Sequence, residues 1–351
     1  MKFSLSGLLW VAGCMLHAAV QAAPVADALD RPALPVAMVA KTMLLGAAQA
    51  GGRLVAVGER GIVALSDDAG RTWRQAQVPV SVTLTAVRFV DTRQGFAVGH
   101  GGVVLATHDG GESWRKQLDG AQSAQLVLQA AQASGNPSAV KEAERLVADG
   151  ADKPLLDLHF FDARRGLVVG AYNQAFATVD GGQTWQVVSD RLDNPKGLHL
   201  YAIRSRGDTL VIAGEQGLVY RSDDAGRTFR RLATPYQGSF FTAELPTADE
   251  MVVAGLRGNV WRSIDRGVSW SKVEVRIPVS FTASADRGER GLVLGNQSGA
   301  LFAFHGGQLT PLPGGTQPPL TAVLPLANGQ LLALGRAGAI VLDATNERTT
   351  P

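Results

Sequence analysis

Five arginines, Arg60, Arg88, Arg204, Arg257 and Arg336, occupy two recurring positions of an internal repeat, and His159 and Glu244 share the register of Arg88 and Arg204. A guanidinium is a planar fork that binds carboxylates through two parallel bonds, so this set suits recognition of an anionic group or a protein surface. Strand alternation would turn Arg88, His159, Arg204, Glu244 and Ser284 to one side, with Asp157, Thr242 and Thr282 two residues earlier. Charged groups on an inner strand need water or each other, so a solvated, partly self-paired channel is the competing structural reading. No catalytic residue stands out beside them. His100, His108, His159, His199 and His305 lack ligand spacing, and the single cysteine, Cys14, is close to the N-terminus, so no metal site is expected. There is no Gly-x-Ser-x-Gly elbow, phosphate loop or nucleotide fingerprint, and neither a cofactor nor catalysis is predicted.

What must position these residues is written in five copies of one motif: 66-SDDAGRTW-73, 107-THDGGESW-114, 178-TVDGGQTW-185, 222-SDDAGRTF-229 and 263-SIDRGVSW-270. The carboxylates of Asp68, Asp109, Asp180, Asp224 and Asp265 can cap a tight turn, whose glycine takes positive φ. The closing Trp73, Trp114, Trp185, Phe229 and Trp270 each offer a large ring to bury at the start of a strand. The motif resembles the Asp-box of the bacterial neuraminidase repeat, which sits between the third and fourth strands of a propeller blade. The resemblance implies a structural role for the boxes.

Upstream of each box an apolar run ends in glycine, at Gly58, Gly99, Gly170, Gly214 and Gly255, and two further copies without boxes end at Gly295 and Gly335. All but one of the intervals between them are close to forty residues, which reads as radial repetition of four short strands. The predicted fold is all-β, a seven-bladed propeller over 23–343 with a tail at 344–351. The last repeat ends after its third strand, so segment 31–40 is expected to supply the fourth and protect the sheet edge. The one long interval, Gly99 to Gly170, carries an Ala-, Gln- and Glu-rich insertion at 121–154. It predicts one or two short helices between blades 2 and 3, broken at Gly135-Asn136-Pro137, serving as a surface insertion or as a lid or docking arm over the channel.

Residues 1–22 have a lysine, an apolar stretch and a small-residue exit, the pattern of a secretory signal peptide. Val11-Ala12-Gly13-Cys14 offers a lipobox as the alternative. Either route predicts an exported, periplasmic protein. A net charge of +2 gives no argument for nucleic acid.

The phrase TAVRFVDTRQGFAVGHGGVVLATHDGGESW (85–114), with the repeats around it, is similar to the photosystem II stability and assembly factor family of chloroplasts and cyanobacteria. That resemblance covers nearly all of the mature chain. It implies a non-enzymatic propeller that holds a membrane-protein subunit or envelope complex through an arginine-bearing face. The boxes missing from blades 6 and 7 are a departure from the pattern. The alternative from another class is a sialidase-like glycoside hydrolase, for which Tyr201, Glu244 and Arg276-Ile277-Pro278 are available, although the Arg-Ile-Pro signature follows the boxes here instead of preceding them.

Overall fold

The computed structural model describes residues 26–313 and 317–344. The expected signal peptide and nearly all of the expected tail lie outside them. Seven antiparallel sheets, each with its strands in chain order, are arranged as blades; six have four strands and the last has three. The innermost strands, here strands A, are Leu44–Ala50, Leu84–Phe89, Leu155–Phe160, Leu200–Arg206, Phe240–Glu244, Phe281–Asp286 and Leu320–Pro325. Each touches the next, and the last touches the first, so they enclose a central channel.

Strand B of each blade is an uninterrupted apolar run because both of its faces are covered. Gly95–Gly99 and Met251–Gly255, for example, are buried at every position. The core is divided into clusters between neighbouring blades, such as Val55, Val57 and Leu65 of blade 1 against Leu84, Val87 and Leu105 of blade 2.

The recurring glycine has a steric cause. A Cβ on Gly58, Gly99, Gly170, Gly214, Gly255 or Gly335 would lie 2.1 to 2.3 Å from the carbonyl oxygen of the residue before strand A. In blades 1 to 5 that carbonyl also accepts a bond from the residue after the glycine, as in His100 N–H to Thr83 O at 2.8 Å. Blade 6 solves the problem differently. Asn296, not Gly295, pairs with the first residue of strand A, and its carboxamide oxygen accepts from Ser298 and Ala300 N–H at 3.0 Å.

The five box turns are built alike. Thr107 Oγ1 donates to Asp109 Oδ1 at 2.8 Å and accepts Gly111 N–H at 3.0 Å, while Ser113 donates both its N–H and its hydroxyl to Asp109. The corresponding bonds recur around Asp68, Asp180, Asp224 and Asp265. Hydroxyl and backbone bonds from Thr72 hold the Asp68 carboxyl down at about 2, and those from Thr184 and Ser269 do the same for Asp180 and Asp265. The indoles of Trp73, Trp114 and Trp185 donate to the box glycine carbonyl, whereas Phe229 has no N–H to give and Trp270 Nε1 is buried without a partner.

The expected ring-closing strand at 31–40 is not formed. Pro32 and Pro35 remove two ladder donors, and the segment instead follows the outer edge of blade 1, with Ala33 N–H bonded to Val78 O and Gln75 holding both Leu34 and Val36. Blades 1 and 7 meet face to face through Leu44, Leu54 and Ala56 against Leu326, Leu332 and Leu334, with Val39 packed into the same cluster. Thr321 Oγ1 crosses the seam to Leu44 O at 2.6 Å.

The insertion is a helical hairpin, α1 (Gly120–Ser134) and α2 (Pro137–Asp149). Asp119 and Gln122 form a reciprocal capping box on α1, Gly135 closes it in a left-handed conformation, and the Asn136 side chain caps α2 with Pro137 in its first turn. The hairpin covers the rim of blade 3 near Tyr172 and Val187. None of its residues lines the channel, which answers the expectation of a channel lid in the negative.

Candidate protein-binding face and channel

The turns between strands B and C of blades 1 to 5 are single 3-10 turns, Glu59–Gly61, His100–Gly102, Ala171–Asn173, Glu215–Gly217 and Leu256–Gly258. Their middle residues are left-handed, with φ of 54° at Arg60, 67° at Gly101, 55° at Tyr172, 52° at Gln216 and 54° at Arg257. This conformation turns the middle side chain away from the sheet, and all four non-glycine residues are exposed. Arg336, in the corresponding turn of blade 7, is exposed as well. Among the described residues, the guanidinium groups of Arg60, Arg257 and Arg336 form no hydrogen bond or ion pair.

Arg88, Arg204 and Glu244 are committed to ion pairs inside the channel, a space of about 430 Å³. Arg88 Nη2 lies 3.2 Å from Asp157 Oδ1, and Arg204 spans Asp157 at 2.5 Å and Glu244 at 3.3 Å. Ser284 donates to Glu244 at 2.7 Å and also bonds Thr242. Burial would raise the Asp157 carboxyl, but Arg88 and Arg204 keep it below its ordinary range. Two cations face two carboxylates, so the cluster is neutral. His159 borders it, with Nδ1 3.2 Å from Ser205 Oγ and Nε2 buried without a partner. Burial, reinforced by Arg88, drives its pKa down to about 4.

The common register therefore holds for Arg88, His159, Arg204 and Glu244, while blade 6 is displaced by one. Arg88 pairs with Phe96, whereas Ser284 pairs with Leu294, and it is Ala285 that occupies the equivalent place. Thr282 is a strut, donating to Leu320 O of blade 7 at 2.6 Å. The boxes lie on the opposite face, at the far ends of strands B and C. An aromatic line that the sequence does not make legible runs along the arginine face, formed by Tyr172, His199, Tyr201 and Phe241. Tyr172, the His199–Tyr201 pair and Phe241 come from three blades, so spacing along the chain does not reveal the line.

Residues 65–147 and 136–304 match the sequence profile of a family described as photosynthesis system II assembly factor YCF48. The chain belongs to that family. A curated relative, the photosystem II assembly lipoprotein Ycf48 of Synechococcus sp. (strain CC9902), is 35% identical over 77 residues, covering 22% of this chain and 23% of its own length. Among solved structures, YCF48 bound to a D1 peptide matches with a TM-score of 0.64 at 16% identity, covering 91% of this chain and 99% of that one. YCF48 from Cyanidioschyzon merolae matches with a TM-score of 0.65 at 14% identity, covering 89% and 98%. At these identities the structures speak for the fold alone. A GH74 xyloglucanase from Xanthomonas campestris reaches a TM-score of 0.63 at 12% identity over 91% of this chain and 54% of its own. The profile match is what separates the YCF48 family from other propellers.

Proposed function

We propose that this YCF48-family chain is a non-enzymatic, exported propeller that holds a segment of a membrane protein or envelope-complex subunit, as assembly factor or scaffold. The observation that carries the reading is the placement of Arg60 and Arg257 at left-handed turn positions. Gly101 fills the same position in blade 2 without a side chain. Holding a non-glycine residue there costs on the order of 1–2 kcal/mol, and such strain concentrates where a side chain is used. Together with Arg336, these residues present unpaired cations on one face. The peptide-bound relative supports a protein partner, and the lipoprotein relative supports export, by signal cleavage or by anchoring at Cys14.

The test is affinity capture of a tagged protein from gently solubilised envelopes, comparing wild type with Arg60→Glu/Arg257→Glu/Arg336→Glu. Arg204 is left intact because its loss would disturb the channel. A membrane protein captured by wild type and lost in the triple variant supports the reading; equal capture removes the arginines from it. No observation favours the sialidase alternative. Arg276-Ile277-Pro278 is exposed outside the channel lining, and Glu244 is already held by Arg204 and Ser284.

A further inference from the structure

Strand C of blade 7, Gly338–Leu342, is the outermost strand of its sheet, whereas every other blade carries a fourth strand, D, outside its strand C. In blades 1, 3, 4 and 6 the carbonyls of Val63, Ala175, Val219 and Leu301 accept the N–H of Ala76, Val188, Leu232 and Leu312, at the end of strand D, at 2.8 to 3.0 Å. Leu118 and Val273 pair with the equivalent Val104 and Val260 in blades 2 and 5. In blade 7 that place belongs to Ala339, which pairs with Leu334 as Val63 pairs with Val57. Among the described residues, the outward backbone groups of Ala339 and, by alternation, of Val341 have no partner.

All six strand D residues at this position are apolar. Ala76, Leu118, Val188 and Leu232 each pack with the box ring of the following blade, Trp114, Trp185, Phe229 and Trp270. Trp73, the ring that blade 1 turns toward blade 7, shares a cluster with Ala339 and Val341 that contains no strand D residue. Blades 6 and 1 on either side each reach one strand farther out, so the edge lies in a recess about 5 Å deep. A cavity lined by Gly70, Arg71, Gln330 and Val341 lies at its box end, where Arg71 and Asp343 offer one charge of each sign. At the arginine-face end stand the exposed Lys41 and Arg336, and a Cβ on Gly338 would lie 2.8 Å from Lys41 Cα. Glu59 on the neighbouring turn leaves this end net positive beside Lys41, Arg60 and Arg336.

We infer that this recess takes one extended segment of the partner protein as the fourth strand of blade 7, antiparallel to strand C, with an apolar residue bonded to Ala339 and acidic residues after it. Main-chain bonds to an open sheet edge supply affinity, and alternate side chains supply selectivity. The apolar residue covers Trp73, as its counterparts cover the rings of the other boxes. An antiparallel strand runs from the box face to the arginine face, so its C-terminal part arrives at Lys41 and Arg336, where carboxylates are favoured. The recess is one strand wide, which suits a single segment; a second copy presenting the same edge would bring its own flanking blades against these. This inference rests on the protein-binding reading and states how the partner segment is held.

The probe is a short fluorescein-labelled peptide of threonines carrying one leucine and, C-terminal to it, two glutamates, titrated with the full chain and followed by anisotropy. Wild type is expected to give saturable binding. Methylating the leucine amide nitrogen should weaken it about tenfold, while methylating the amide of the preceding residue, which points away from strand C, should stay within about twofold. Replacing the leucine with aspartate should also cost about tenfold. Val341→Pro removes an N–H that faces the open edge, where proline is tolerated, and should abolish binding. No binding by wild type, or equal affinity for the two methylated peptides, overturns the added strand. So does dimerisation of the chain that Val341→Pro abolishes while no peptide binds, which would give the edge to a second copy. Envelope capture that survives Val341→Pro but fails in the arginine variant would leave the protein-binding reading standing without the added strand.

Discussion

Arg204 Nη1 lies 2.5 Å from Asp157 Oδ2, so a cation on strand A of blade 4 is neutralised by a carboxylate on strand A of blade 3. Its Nε reaches Glu244 of blade 5, and Arg88 of blade 2 approaches Asp157 from the other side. Four consecutive blades are thus bound at the channel by one neutral cluster, and two of the five candidate arginines serve the ring itself.

Replacing Arg204 with Gln leaves Asp157 and Glu244 facing each other with a single cation nearby. The expected loss is about 2–4 kcal/mol, at the low end for a buried pair because the channel admits water. Urea denaturation measures it, and a loss below about 0.5 kcal/mol would show the cluster to be ornamental.

Stability should fall with acid in two stages. His159 has a folded pKa of about 4 against about 6.5 unfolded, so between those values the unfolded chain binds the extra proton. The stability it contributes is complete above pH 6.5 and is lost as the pH falls toward 4. Below that, the box carboxylates follow, since Asp68, Asp180 and Asp265 stay ionised in the fold down to about 2. His159→Gln should flatten the first stage and leave the second, as read from denaturation midpoints across pH.

Thr107→Val keeps the shape of the second box but removes the buried hydroxyl that accepts Gly111 N–H. A cost of about 1–3 kcal/mol is expected, with capture of any partner unchanged once the variant is folded. Asp109→Ala should act in the same direction. Selective loss of capture at full stability would make the box face functional.

Gly99→Ala would place a methyl 2.2 Å from Thr83 O, a backbone atom that cannot swing aside. The strand must shift, at about 1–3 kcal/mol or more. The same change at Gly52, where a Cβ meets nothing within 4 Å, should be close to neutral in a thermal melt.

Local chemistry was legible in the sequence wherever it repeats. The box carboxylates, the strand-ending glycines and the helix break at Gly135-Asn136-Pro137 each satisfy a constraint confined to a few neighbouring residues. Segment 31–40 was misread because topology asked for a strand where Pro32 and Pro35 forbid a ladder. Ser284 was placed one residue off because Asn296 does in blade 6 what glycine does elsewhere. The cluster around Arg204 was visible as a register and as a partly self-paired channel, but not which cation meets which carboxylate. Apart from His199 and Tyr201, which are two residues apart, the line from Tyr172 to Phe241 is a product of tertiary placement.

The seam between blades 1 and 7 bears on how the ring is made. Among the described residues every sheet is woven from one continuous stretch of chain, and no strand is lent across the junction. Each blade can complete its hydrogen bonding as its own segment leaves the ribosome, stacking on the one before it. Only the last contact, Leu44 and Leu54 against Leu332 and Leu334, must wait for the C-terminal repeat. A chain stalled before that repeat would carry finished sheets and two bare apolar walls, so adding the blade 7 repeat is a closing step that converts a sticky arc into a ring.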